Sequence, residues 1–200
     1  VKTLADMAGK KVNIGPPGSG TVVNSLYILD ALGLADKIQK QTLTFAGGAS
    51  AMADRQIDVT TGAGIPFTVP AITEVSMLNP VRYLHTTQQE YEKIMAKYPL
   101  YSLIKVPAGT IKGTDEPVDC IVYSAYWIVH DKVPDEVVYD MLKIVTDKEN
   151  NAMLAKVQKN WSAVSGDFSA VGNLGVPLKK GAAKFWSEKG TKFPQGMKID

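Results

Sequence analysis

One cysteine in 200 residues, Cys120, excludes an internal disulfide and any cysteine-built metal site. It lies in the apolar run 120–129 and reads as a small buried hydrophobe. Histidine is nearly as scarce. His85 and His130 each end an apolar run, and neither has a second histidine or a cysteine at ligand spacing, so no metal site is expected. The net charge of +2 is small and the lysines are scattered, which argues against nucleic acid as a partner. No apolar run reaches the length of a membrane span. Residues 1–9 read as neither a start nor a leader peptide, but as a chain already under way. With 45% hydrophobic residues, the sequence suits one moderate domain or two small lobes.

What is present is a turn built of small residues, Gly15-Pro16-Pro17-Gly18-Ser19-Gly20-Thr21. It follows the apolar run 12–14 and precedes Val22, Val23, Leu26 and Leu29 at helical spacing, so it reads as strand, turn and helix start. A helix start offers unpaired N–H groups and the positive end of the dipole, and small residues let an anion approach the backbone. The turn is therefore a candidate cradle for a carboxylate; an ordinary connection that binds nothing is the competing reading. A phosphate-gripping loop needs lysine after the second glycine, where Thr21 stands, and Pro16 and Pro17 remove two donors. The dinucleotide fingerprint needs glycine where Val23 stands.

Further along, 42–45 reads as a strand, Ser50 as the cap of a short helix reaching Arg55, and 57–61 as a strand. The last ends in a second small-residue loop, Gly62-Ala63-Gly64-Ile65-Pro66, before a helix over 69–77 with Pro70 in its first turn. Three strand-then-helix units in succession predict an α/β fold with a mainly parallel sheet. Ligands bind such sheets beyond the carboxyl ends of the strands, where both small loops fall. A strand at 81–84 and a polar helix at 88–97 follow, with Tyr91, Tyr98 and Tyr101 as candidate ligand contacts, though packing is the commoner role of such tyrosines. After a strand at 104–106, the turn-rich stretch 112–117 is the best linker candidate. The apolar run 120–129 reads as a buried strand. Helices are expected from Pro134, over 151–161 and over 180–189, with an extended segment at 175–178 and a fraying tail from Gly190.

No constellation demands catalysis. Ser19 is flanked by Pro17 and Thr21 where a nucleophile elbow needs glycines. Asp115-Glu116 and Asp135-Glu136 read as solvated and helix-start carboxylates. A binding protein is expected, not an enzyme, and no cofactor.

Several segments, in order, resemble the TAXI family of solute-binding proteins, the receptors of one class of TRAP transporters. These are Leu4-Ala5-Asp6-Met7-Ala8-Gly9-Lys10-Lys11-Val12-Asn13-Ile14 running into the opening turn; Gln56-Ile57-Asp58 through Pro66 with Pro70-Ala71-Ile72; Val106-Pro107-Ala108-Gly109-Thr110 with Asp115-Glu116-Pro117-Val118; Val133-Pro134-Asp135-Glu136-Val137-Val138-Tyr139; and Gly175-Val176-Pro177-Leu178 with Gly181-Ala182 and Phe185-Trp186. The resemblance implies a periplasmic-binding-protein-like fold: two lobes with mainly parallel sheets flanked by helices, joined by a hinge, with ligand clamped between them. Residues 1–117 would form the second lobe and 118–200 the later part of the first, whose N-terminal part, with the leader, is not in this chain. The strand at 120–129 would then lack neighbours.

The resemblance further implies a monomeric periplasmic or extracytoplasmic receptor that captures a small organic anion, an amino acid such as glutamate or a carboxylic acid, and delivers it to TRAP membrane permease subunits. Gly18, Ser19, Gly20 and Thr21 would meet the acidic end; Thr61, Ala63, Gly64, Ile65 and Pro66 would line the opposite strand end. Lys179-Lys180 departs from the His-Pro pair frequent in the family. An ABC-importer receptor shares the architecture. So do certain enzymes, for which Cys120 and Lys105 are the candidate reactive groups, and ligand-sensing domains of regulators.

Overall fold

The structure, a computed structural model, describes residues 1–64, 69–111, 114–168 and 176–200. They fall into two units, Val1–Tyr123 and Ser124–Asp200. In the first, the strands β1 (Lys11–Asn13), β2 (Gln39–Gln41) and β3 (Val59–Thr60) alternate with the helices α1 (Gly20–Ala31) and α2 (Phe45–Ala53). The strands pair in the order β2-β1-β3, both ladders parallel, with Asn13 opposite Gln41 on one side and Thr60 on the other. The expected mixed α/β architecture, a parallel sheet flanked by helices, is what forms.

Both faces of the central strand are covered, as parallel strands require. Val12 and Ile14 point one way and join Met7, Leu29, Leu34 and Ile38 in a core under α1. Asn13 points the other way, toward α2, and is wholly buried. That face is closed by Gly48 in α2, where an added Cβ would lie 2.5 Å from Thr60 Oγ1 and closer still to Asn13 Nδ2.

Helix α2 starts earlier than the sequence suggested. Thr44, not Ser50, is its cap, accepting from the Gly47 N–H at 3.0 Å, so 42–45 is not a strand and β2 lies upstream of it. The side-chain oxygen of Thr44 satisfies a first-turn donor, which outweighs the β preference of the run Thr42-Leu43-Thr44-Phe45.

Helices α3 (Pro70–Leu78) and α4 (Gln88–Lys97) follow. A capping box between Thr87 and Glu90 starts α4, and Ile94 is fully buried beneath it. Its end is tied to the last turn of α1: Lys97 Nζ lies 2.7 Å from Asp30 Oδ2, the Tyr98 hydroxyl donates to the same carboxylate, and the Tyr98 ring stacks on Tyr27. The hydrogen bonds from Lys97 and then Tyr98 hold the Asp30 carboxyl below the usual carboxylate range. Residues 81–84 are not a strand; Tyr83 instead covers the cluster Val106, Ile111 and Val118 in the antiparallel hairpin of β4 (Ser102–Val106) and β5 (Val118–Val122). The polar stretch proposed as a linker falls in this hairpin's loop; Lys112 and Gly113 lie outside the described residues.

The run 120–129 is not one buried strand. Strand β5 ends at Val122, opposite Ser102, because β4 is only five residues long and offers no partner beyond it. Residues 123–130 have no regular structure, and Ile128 is 82% exposed.

In the second unit, α5 (Asp135–Thr146), α6 (Lys148–Val157) and α7 (Lys180–Glu188) are joined by a 3-10 turn, Lys159–Ala163, and other segments. Val138 and Leu142 of α5 are buried against Ala182 and Phe185 of α7, while Val137, Met141 and Ile144 form a second, exposed apolar stripe. Helix α6 begins at Lys148 because Asp147 caps it, accepting from Glu149 and Asn150. The tail is tied down, not frayed: Leu178 pairs with Ile199, and Lys179 Nζ lies 3.7 Å from Asp200. Gly175, part of the extended segment expected there, lies outside the described residues.

Alanine is ordinarily the better helix former by about 1 kcal/mol. At Gly48 the reverse is expected: Gly48→Ala pushes the Asn13 carboxamide off its partners and destabilises by about 2–4 kcal/mol in urea unfolding. A neutral or stabilised variant contradicts the close approach.

Candidate functional site

The carboxyl edge of the parallel sheet is organised by one side chain. Asn13 Oδ1 accepts the N–H of Gly15 at 3.2 Å, in the loop after β1, and of Leu43 at 2.9 Å, in the loop after β2. Its Nδ2 donates to Thr60 Oγ1 at 3.0 Å, at the end of β3. The backbone carbonyl of Asn13 also accepts the Thr61 N–H at 3.0 Å. Two N–H donors on one side and a hydroxyl on the other fix which way the amide faces. The loops after all three strands are thus held to a common centre.

The opening turn runs from this centre to α1. Gly15 has φ +119°, a conformation side chains rarely adopt, and a Cβ there would lie 2.8 Å from the Thr21 methyl. Thr21 therefore folds its methyl group back over Gly15. Ser19 is the N-cap of α1, its hydroxyl oxygen accepting from Val22 N–H at 3.4 Å, and its own N–H donates to the Pro16 carbonyl. Among the described residues the N–H groups of Gly18, Gly20 and Thr21 donate to nothing. Gly18 and Gly20 are exposed, and Ser19 and Thr21 half-buried, so this turn faces solvent with free donors and the positive end of a twelve-residue helix.

Thr61 follows β3 at the same edge. Its Oγ1 is shielded from solvent and, among the described residues, is the buried side-chain polar atom without a hydrogen-bond partner. Buried hydroxyls are nearly always paired, so an orphan of this kind is a place where a ligand group can complete the bonding. Ala63 is half-buried and Gly64 exposed; Ile65 and Pro66 lie outside the described residues. A concavity of about 350 Å³ lies between α2 and α3, walled by Ala46, Ala49, Val75 and Leu78 with Asp54 and Glu74 at its rim. It contains none of the opening turn and offers no cation to an anion.

The three tyrosines singled out as possible ligand contacts have other work. The Tyr98 hydroxyl goes to Asp30, Tyr101 to Asn24 Oδ1 at 2.8 Å, and Tyr91 to the Tyr101 carbonyl at 3.3 Å. Burial, and then the neighbouring Tyr123, push the Tyr101 hydroxyl up to about 12, so it remains a donor at any working pH. Asn13 was the residue missed from sequence. Its signal is a carboxamide between two apolar residues at a strand end, where a side chain must be buried and paired.

A parallel sheet flanked by helices, with small-residue loops gathered at its carboxyl edge and free helix-start donors between them, is the architecture of a periplasmic-binding-protein-like molecule. The model of the NMT1-like family matches residues 1–190, and the chain belongs to that family. Solute binding in general is the role this membership carries. Among the described residues no helix is long and apolar enough to cross a membrane.

Replacing the orphan hydroxyl by an isosteric methyl removes an unpaired polar group, so Thr61→Val is expected to leave stability unchanged or raise it by up to about 1 kcal/mol in urea unfolding. A loss of more than about 1 kcal/mol means that the hydroxyl is bonded in the free protein.

Proposed function

We propose that this chain is an extracytoplasmic receptor of the TRAP-transporter kind, of the TAXI family, that captures a small organic anion and delivers it to a membrane permease. The observation that carries the reading is that, among the described residues, the Gly20 and Thr21 N–H groups and the Thr61 hydroxyl, all at one sheet edge, have no hydrogen-bond partner. Backbone donors at a helix start select for negative charge, and the hydroxyl can donate to a second oxygen. The order of the motifs along the chain supports the TRAP assignment over other binding proteins.

The loaded monomer would then dock to the permease, whose ion gradient drives uptake. The extracytoplasmic, periplasmic placement follows from the same reading. Binding, not catalysis, is also the reading of the two reactive candidates. Burial, and then Asp119, push the Cys120 thiol up and away from the thiolate, and Lys105 lies 3.7 Å from Asp119.

A thermal-shift screen against amino acids and small carboxylates tests this. One acid should raise the melting temperature; a ligand at a hundredfold excess over its Kd adds about 2.7 kcal/mol. The rise should vanish in the Ser19→Ala, Thr21→Val double variant. If no acid shifts a protein that melts cooperatively, the reading is wrong.

A further inference from the structure

Helix α1 is gripped from behind at its first turn. Asn24 Nδ2 donates to the Gly20 carbonyl at 2.8 Å, and Asn24 Oδ1 accepts from the Tyr101 hydroxyl at 2.8 Å. Tyr101 is only 4% exposed. Its carbonyl takes the Tyr91 hydroxyl, and its ring meets Tyr123 edge-on at 6.3 Å. The far end of this relay is therefore anchored in packed structure.

Its near end acts on one peptide unit. The Gly20 carbonyl and the Thr21 N–H belong to the same planar group and point in opposite directions. Whatever fixes the carbonyl aims the N–H. Among the described residues the Thr21 N–H has no hydrogen-bond partner, while the Gly20 carbonyl, at the first position of α1, takes the helix bond from the Asn24 N–H and the Asn24 carboxamide as a second donor. The choice of residues also needs a reason beyond packing. Asparagine is a poor helix former, and a buried tyrosine hydroxyl is costly unless paired, so leucine and phenylalanine would serve a purely apolar contact better.

We propose that Tyr101 and Asn24 are positioning residues of the acid-binding turn: the relay Tyr101 hydroxyl, Asn24 carboxamide, Gly20 carbonyl sets the Gly20–Thr21 peptide so that its N–H faces the ligand. The inference rests on the reading of the turn as an acid site. It also separates two groups of contacts on the same helix. Tyr98 makes a chemically similar bond to Asp30 at the opposite end of α1, where it supports the fold and does not touch the site.

That pair supplies the control. The test is ¹⁵N relaxation of the full chain and titration with L-glutamate and with succinate, for the wild type, Tyr101→Phe and Tyr98→Phe. Both variants keep the ring and lose one hydroxyl bonded to α1. The Thr21 N–H should lose order in Tyr101→Phe and keep it in Tyr98→Phe. Affinity for the acid that binds should fall about fivefold in Tyr101→Phe alone. Asn24→Ala should match that loss, and combining it with Tyr101→Phe should add nothing further. An ordered Thr21 N–H in Tyr101→Phe, an equal effect of Tyr98→Phe, or undiminished affinity in Tyr101→Phe overturns the proposal. If Thr21 loses order as expected but the wild type takes up neither acid, the relay is supported and the acid reading is what fails.

Discussion

A buried carboxamide must be bonded or it costs several kcal/mol, and at Asn13 the partners come from three separate parts of the chain. The loop after β1, the loop after β2 and the end of β3 meet on this one side chain. An apolar residue of the same size would strand the Gly15 and Leu43 N–H groups, at about 1–3 kcal/mol each. The glycine at position 48 is part of the same constraint, because only a residue without Cβ lets α2 lie over the carboxamide. Sheet edge, helix approach and loop geometry are therefore one problem with one solution.

The candidate site inherits its rigidity from that arrangement. A carboxylate bound by backbone N–H groups gains only if the donors already point the right way, since ordering them on binding would consume the gain. The turn 15–21 is fixed at its start by Asn13, through Gly15, and along α1 by the contacts of Asn24 and Asp30 with the tyrosines of the 98–101 segment. Among the described residues, the Gly18, Gly20 and Thr21 N–H groups between these supports have no partner, nor has the Thr61 hydroxyl at the same sheet edge. Among the described residues these groups lack protein partners, while Asn13 satisfies the others at the same edge.

Much of this was legible in the residues. The alternation of apolar runs with helical patterns gave the parallel sheet, and the spacing after Gly15 placed α1 within a residue of its observed start. The helix 88–97 depends on a local feature, a capping box between Thr87 and Glu90 three positions on. What escaped was set by distant partners. Thr42 to Phe45 has β-type composition, yet the hydroxyl of Thr44 caps a helix. The apolar run after Cys120 has the pattern of a buried strand, but strand length is decided by the partner, and β4 begins only at Ser102, opposite Val122. The tail looked loose by composition and is held by Leu178, far back in the chain. The same limit hid the roles of Asn13 and Tyr101, whose partners lie up to 77 positions away.

The most direct test of the account is native-state hydrogen exchange at the Gly15 and Leu43 amides. Both sit in loops, where amides ordinarily exchange fast, and both are protected here only if they donate to Asn13. The account predicts that the two are protected together and lose protection together in Asn13→Ala, with the helix amides of α4 changing much less. Rapid exchange of either amide in the wild type, or protection that survives the loss of the carboxamide, would contradict it.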